Sequence, residues 1–199
     1  PMPEQKRMEK MQRQHWYQKP LRITQTVLRE IDAVGYDADK VVEYLKRTHS
    51  NCLVVNGGGI FDFFPSPLPF ANPIPYLGER DILGEISNAC REAGIRVITR
   101  VDFRGVEKDF WEQHPGWFAR QADGTPIIRQ DTSLELYVPC YESYYRNEHA
   151  TAFMSHLLET YPIDGIWHNA VLCRGVCHCD RCRERYAEEV GGNIPVEGR

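Results

Sequence analysis

The sequence predicts an α/β fold, namely the N-terminal half, about four βα units, of a TIM (β/α)8 barrel. Three observations carry this. Apolar runs of strand length alternate four times with stretches of helical periodicity. Runs such as Cys52-Leu53-Val54-Val55 need burial on both faces, as strands of a parallel sheet do. The two long connections follow strands two and three, where a barrel keeps its functional loops. A doubly wound nucleotide fold would place a Gly-rich phosphate loop directly after its first strand, and none stands there. Gly57-Gly58-Gly59 follows strand two and runs into Ile60-Phe61 rather than into a helix.

Residues 1–20 are polar and charged until His15, Trp16 and Tyr17, an N-terminal arm that docks by its aromatic end; residues 21–199 form the partial barrel. TVLREID, from Thr26, is the first strand. DADKVVEYLKRTH is the first helix, with Val41, Val42, Leu45 and His49 as its stripe and Asp37 or Asp39 as its N-cap. NCLVVNG, ending its strand at Asn56, is strand two. DILGEISNACREAG supplies helix two, with Ile82, Leu83, Ile86, Ala89, Cys90 and Ala93 on one side and Gly94 as its stop. In RVITRVDF, strand three, Val97, Thr99 and Val101 face one way and Ile98, Arg100 and Asp102 the other. An excursion from Arg104 to Glu142 carries a short helix over Glu107 to Gln113 and a hairpin turning at Asp123-Gly124. Helix three has Ala150, Phe153, Met154, Leu157, Leu158 and Tyr161 as its stripe. DGIWHNA is strand four, and a last helix runs from about Cys182 to Val190. A complete barrel takes about 250 residues, so the expectation is a chain truncated at its C-terminus.

Composition narrows the function. With 24 Lys plus Arg against 28 Asp plus Glu, the net charge of −4 lacks the basic field that nucleic acid requires. No apolar run reaches the roughly 20 residues of a membrane span, so neither nucleic acid nor membrane is expected as a partner, and a soluble, cytoplasmic protein is. A homo-oligomer is left open. Seven cysteines, an odd number with four inside ten residues, fit reduced thiols holding a metal better than a disulfide framework.

Cys177-His178-Cys179-Asp180-Arg181-Cys182 places three thiols at a spacing that wraps one face of a tetrahedral zinc ion. The fourth ligand is Cys173, near in sequence, or Cys140 in YVPCYESYY, on a loop leaving the same barrel end; Cys140 is the better choice, and His178 is a further candidate. Four thiolates leave no open position for water, so such a zinc pins loops. Polar groups also gather at the strand ends: Glu30 and Asp32 on strand one, Asn56 on two, Arg100 and Asp102 on three, His168 and Asn169 on four. In a barrel these ends converge on one pocket. Phe61, Phe63, Phe64, Phe70 and Tyr76, stiffened by five prolines, offer flat walls for sugar C–H faces or a cover for the barrel end, and Trp111, His114 and Trp117 allow the same two readings.

The ordered segments LREIDA, NGGGIFDFFPSPLP, RDILGEISNACREAGIRVITRVDF, EQHPGWFARQADG, YVPCYESYYRNE, YPIDGIWHNA and CHCDRC closely resemble the hypothetical glycoside-hydrolase-like barrel family, of the wider β-galactosidase and α-fucosidase type, from about Leu21 to Pro195. The segments around Cys140 and in CHCDRC are similar to the zinc site of family-42 β-galactosidases, which implies Cys140, Cys177, Cys179 and Cys182 as ligands. The resemblance implies a saccharide ligand, with Asn56, Arg100, Asp102, His168 and Asn169 as substrate-binding residues and Asp102 as the catalytic candidate. It also exposes a departure: barrel glycosidases of these types place a carboxylate at the end of strand four, where this chain has Asn169-Ala170. Three readings follow: a glycoside hydrolase given the full barrel, a carbohydrate-binding barrel without hydrolysis, and a zinc-stabilised interaction module.

Overall fold

The computed structural model describes residues 15–131, 134–169 and 175–196. In chain order the elements are β1 (Ile23–Gln25), α1 (Ala38–Arg47), β2 (Cys52–Gly58), α2 (Ile82–Glu92), β3 (Arg96–Val101), α3 (Lys108–Gln113), β4 (Ile128–Asp131), β5 (Leu134–Tyr137), α4 (Ala150–Thr160), β6 (Gly165–His168) and α5 (Asp180–Glu189). Four strands form one parallel sheet in the order β1-β2-β3-β6, with Cys52 opposite Ile23 and Arg96, and Trp167 opposite Arg100. β4 and β5 form a separate antiparallel pair within the excursion. This is a succession of βα units arranged as part of a barrel wall.

Alternation along the strands builds the core. Leu53, Val55, Val97 and Val101 point to the helix side and pack with Leu45 of α1, Leu83 and Ile86 of α2, and Phe153 and Leu157 of α4. Each of these side chains is at least nine-tenths buried, and burial of one such residue contributes about 1.5–3 kcal/mol. Helix starts are fixed by acceptors: Asp37 receives Lys40 N–H at 3.0 Å and Asp81 receives Gly84 N–H at 2.8 Å. Tyr161 O–H also donates to Asp81, at 3.1 Å, tying the end of α4 to the start of α2.

The structure corrects several expectations. Strand one lies at Ile23–Gln25, upstream of TVLREID. Glu30–Gly35 is instead a 3-10 turn, because Asp32 closes locally on Arg29, accepting from its backbone N–H at 2.8 Å and pairing with its guanidinium at 2.7 Å. Glu30 and Asp32 therefore do not end a strand. His49 is not part of the α1 stripe: the helix stops at Arg47, and His49 turns the chain with a φ of 55°. Leu158 is 55% exposed, so the buried stripe of α4 is Ala150, Phe153 and Leu157. The last helix begins at Asp180, two residues before Cys182. The turn at Asp123-Gly124 is present, closed by Gln121 N–H to Thr125 C=O at 2.8 Å, whereas the β4–β5 pair was not anticipated. Residues 1–14 of the expected arm lie outside the described residues. At residues 15–20, Arg96 lies over the Trp16 ring at 5.9 Å, while Tyr17 is exposed.

β2 and β3 approach closely where they end. Asp102 N–H bonds to Gly58 C=O at 2.9 Å, and Gly59, at a φ of 117°, lies against the Asp102 backbone, where a Cβ would collide with the carbonyl. Gly59→Ala is expected to lower unfolding free energy by about 1–3 kcal/mol, as read by urea denaturation. An unchanged midpoint would show that the approach is not constrained.

Candidate functional site

Asp102 leaves β3 with its side chain 9% exposed and its carboxylate ringed by donors. Oδ2 accepts from Asn169 Nδ2 at 2.7 Å and from Arg100 Nη2 at 3.4 Å, with Arg104 Nε at 3.3 Å; Oδ1 accepts from Arg104 N–H at 3.2 Å. A carboxylate at that depth is costly to bury without such partners. Asn169 reaches it from the end of β6, where its own N–H bonds to Val101 C=O at 2.8 Å.

Asp102, Arg100 and Asn56 line a cleft of about 350 Å3 at the C-terminal ends of the strands. Its walls include Phe61 and Phe63 from the loop after β2, Glu30 from the 3-10 turn and Leu134 from β5. Asn56 is committed to the backbone: Oδ1 accepts from Leu28 N–H at 3.1 Å, and Nδ2 donates to Leu28 C=O at 3.4 Å. It holds the segment after β1 against β2.

His168 is not among the residues lining the cleft. Its register partner is Val101, on the core side, and its ring lies 5.6 Å from Phe103. Burial, then the nearby Arg146 charge, pushes its pKa below the ordinary histidine value. The aromatic residues divide likewise: Phe64 is in the core, Tyr76 is 49% exposed, and Phe70 packs edge-on to His114 and Trp117, which stack at 4.0 Å. Trp111 stacks on Tyr137.

Two residues that sequence reasoning passed over shape the cleft. Arg104 stands two positions after Asp102, a spacing that the strand pattern offered. Asp62 is a buried carboxyl in the Phe61–Phe63 loop, accepting from Gly59 N–H at 3.2 Å and Asn72 N–H at 2.9 Å. Burial pushes its pKa up to about 6 against these bonds.

The second centre is the thiol cluster. The sulfurs of Cys140, Cys177, Cys179 and Cys182 all lie within 4.8 Å of one another, with Cys140 3.4 Å from Cys182 and 3.6 Å from Cys179. A tetrahedral ion with metal–sulfur bonds of about 2.3 Å sets sulfurs about 3.8 Å apart, whereas a disulfide needs about 2.05 Å. The set fits a metal ion. Local structure places it: Cys140 N–H bonds to Trp117 C=O at 2.9 Å and His178 N–H to Arg120 C=O at 2.8 Å, while Ala119, Ile127 and Val138 pack around the sulfurs. Glu142 N–H and Cys179 N–H point at sulfur, at 3.4 and 3.5 Å. Hydrogen bonds with Cys140 and Cys179 hold the Cys177 thiol below the ordinary cysteine value, while bonds with Cys177 and Cys179, then burial, push Cys140 above it. His178 stands outside the sulfur set, and Cys173 lies outside the described residues. A larger, mainly apolar hollow of about 670 Å3 adjoins this cluster, but its charged side chains are engaged with one another in the Glu142–Arg185–Glu189 ion pairs. The smaller cleft, where polar groups converge, is the better candidate site.

A parallel βα sheet with a polar cleft at its C-terminal strand ends defines the class, a part of a (β/α) barrel with a rim site. The family model described as Hypothetical glycosyl hydrolase 6 matches residues 37–170, and the chain belongs to that family. No curated protein matches. Among solved structures, α-L-fucosidase isoenzyme 2 from Paenibacillus thiaminolyticus is similar with a TM-score of 0.69 at 18% identity, over 85% of this chain and 26% of that one. A noncanonic maltogenic α-amylase from Thermotoga neapolitana gives 0.54 at 14% identity, over 84% and 42%. A hypothetical protein from Ruminiclostridium thermocellum gives 0.55 at 15% identity, over 77% of each chain. The chain thus spans less than half the length of the two enzymes, and these likenesses establish the fold. Among the described residues no helix is long and apolar enough to cross a membrane.

The raised Asp62 pKa has a signed consequence. A carboxyl whose folded value of about 6 exceeds its unfolded value near 3.8 favours the fold when protonated. That contribution is full below about pH 4 and lost as pH rises through about 6, a change on the order of 3 kcal/mol. Urea denaturation between pH 4 and 7 should show this slope in the native sequence and its loss in Asp62→Asn. A slope that persists in Asp62→Asn assigns it to another group.

Proposed function

We propose that this chain forms a saccharide-holding wall of a glycoside-hydrolase-like barrel, with the sugar in the cleft over Asp102. The observation that supports it most is the convergence of Asp102, Arg100, Arg104 and Asn169 at the strand ends beside Phe61. Fixed donors and acceptors suit sugar hydroxyls, and an aromatic wall suits a sugar's C–H face. Glycoside hydrolysis takes two carboxyl groups flanking the bond. Asp102, immobilised by its donors, is the one we assign to the reacting side, and Glu30 is a second carboxyl on the same cleft. Asn169 takes part by orienting Asp102, and Asn56 by holding the rim.

A second reading, saccharide binding without hydrolysis, is favoured by a specific observation. Asn169 stands at the end of β6 and spends its amide on Asp102, so this strand end supplies no carboxylate. We assign zinc to the four cysteines, in a structural role, since four sulfur ligands complete its tetrahedron. When bound, it would supply a cross-link between the Cys140 loop and the segment leading into α5. Free thiols at Cys52 and Cys90 accord with a cytoplasmic protein.

Two measurements test these assignments. Aryl glycosides are assayed beside a saccharide titration: turnover that falls by about two orders of magnitude or more in Asp102→Asn supports the hydrolase, and binding without turnover supports the second reading. The purified chain should carry one zinc, lost in Cys140→Ser together with a lower Tm. One-to-one zinc retained in Cys140→Ser would refute the ligand set.

A further inference from the structure

We propose that the sugar accepted by this cleft bears a carboxylate, and that Arg100 is the residue that selects it. The proposal rests on the cleft being a saccharide site and names its substrate class.

Arg100 lies on the inward face of β3, in register with Asn56 on β2 and Trp167 on β6. Its side chain is only 16% exposed and lines the cleft. A guanidinium carries five N–H donors, yet Arg100 makes one side-chain bond among the described residues, a long one of 3.4 Å from Nη2 to Asp102. Asp102 takes shorter bonds elsewhere, 2.7 Å from Asn169 and 3.2 Å from Arg104 N–H. A carboxylate has about four lone-pair positions, and those of Asp102 are divided among Asn169, Arg104 and Arg100. The neighbouring acceptor, Asn56 Oδ1, is already taken by Leu28 N–H.

Arg100 is thus a largely buried cation whose fork faces the cleft with most of its donors available to a ligand. A planar carboxylate matches that fork with two parallel N–H···O bonds and opposite charge. The hydroxymethyl group of a neutral hexose offers one oxygen and no charge. A uronic acid differs from its parent hexose only by this exchange at C6, so the fork discriminates on chemistry rather than on shape.

The test titrates the full chain with the methyl glycosides of glucuronic, galacturonic and mannuronic acid, each beside its neutral hexose counterpart, by ligand-observed NMR. At least one uronide is expected to bind about 10- to 100-fold more tightly than its neutral partner, the range for a hydrogen-bonded charge pair. In Arg100→Gln the preference should fall to about twofold or less with the neutral sugar still bound, and Arg100→Lys, which keeps the charge without the fork, should lie between. Neutral sugars binding as well as the uronides would overturn the inference and leave the saccharide reading standing. No binding by any member of the panel would overturn both. The preference is read on the native sequence, so it stands or falls even where a variant does not fold.

Discussion

The rim of this protein depends on giving partners to one buried carboxylate at the end of β3. Asp102 is nearly out of water, and an unpaired charge there would cost several kcal/mol. The surrounding chain is arranged to prevent that. Gly58 accepts its backbone N–H, Gly59 lets the neighbouring backbone come close, Asn169 and Arg100 donate from their side chains, and Arg104 donates its backbone N–H and pairs by charge. Arg100 belongs to the strand, Arg104 to the turn after it, and Asn169 to the end of β6. The carboxylate therefore fixes the relative positions of β2, β3 and β6 where a ligand would meet them.

The thiol cluster solves a separate problem. The excursion between β3 and α4 is long and would be loosely held by its own hairpins; a long unanchored loop loses much entropy on ordering. Cys140, near its end, lies within reach of two sulfurs from the segment entering α5 and one from its first turn. An ion there would join two connections leaving the same end of the sheet, and Leu134, which lines the cleft, sits in the excursion so joined. The cluster can thus shape the site without touching a ligand. It also lies beyond the span of the family match in three of its four cysteines, since that match ends at residue 170.

Much of this was legible in the residues, for identifiable reasons. The βα succession, the aspartate cap of α1 and the inward direction of Arg100 follow from period and capping chemistry, which are local. The convergence of Cys140 with the three later cysteines was readable because strand order places both loops at one end. The failures are also local. Thr26 to Asp32 has a strand-like composition, but the Arg29–Asp32 bond closes a turn there instead. His168 could have been assigned to the core face by counting from Trp167 across to Arg100, yet strand-end position alone does not distinguish alternate faces. Asp62 gave only a weak signal, an acid among phenylalanines, and its partners, the backbone N–H groups of Gly59 and Asn72, are set by loop geometry that no periodicity encodes.

The inward face of the sheet links the two halves of the functional reading. Residues at alternate positions bring Ile23, Cys52, Val54, Ile98, Arg100 and Trp167 to it. Ile23 is 51% exposed and Trp167 48%, both on the outermost strands of the sheet. Trp167 is in register with Arg100, so the indole and the guanidinium stand on the same face of neighbouring strands. An indole attracts the C–H faces of a pyranose while the guanidinium engages its polar edge. That pairing is a property of the wall itself. It depends on register between β3 and β6, and the same register is fixed by Asn169 bridging from the end of β6 to Asp102.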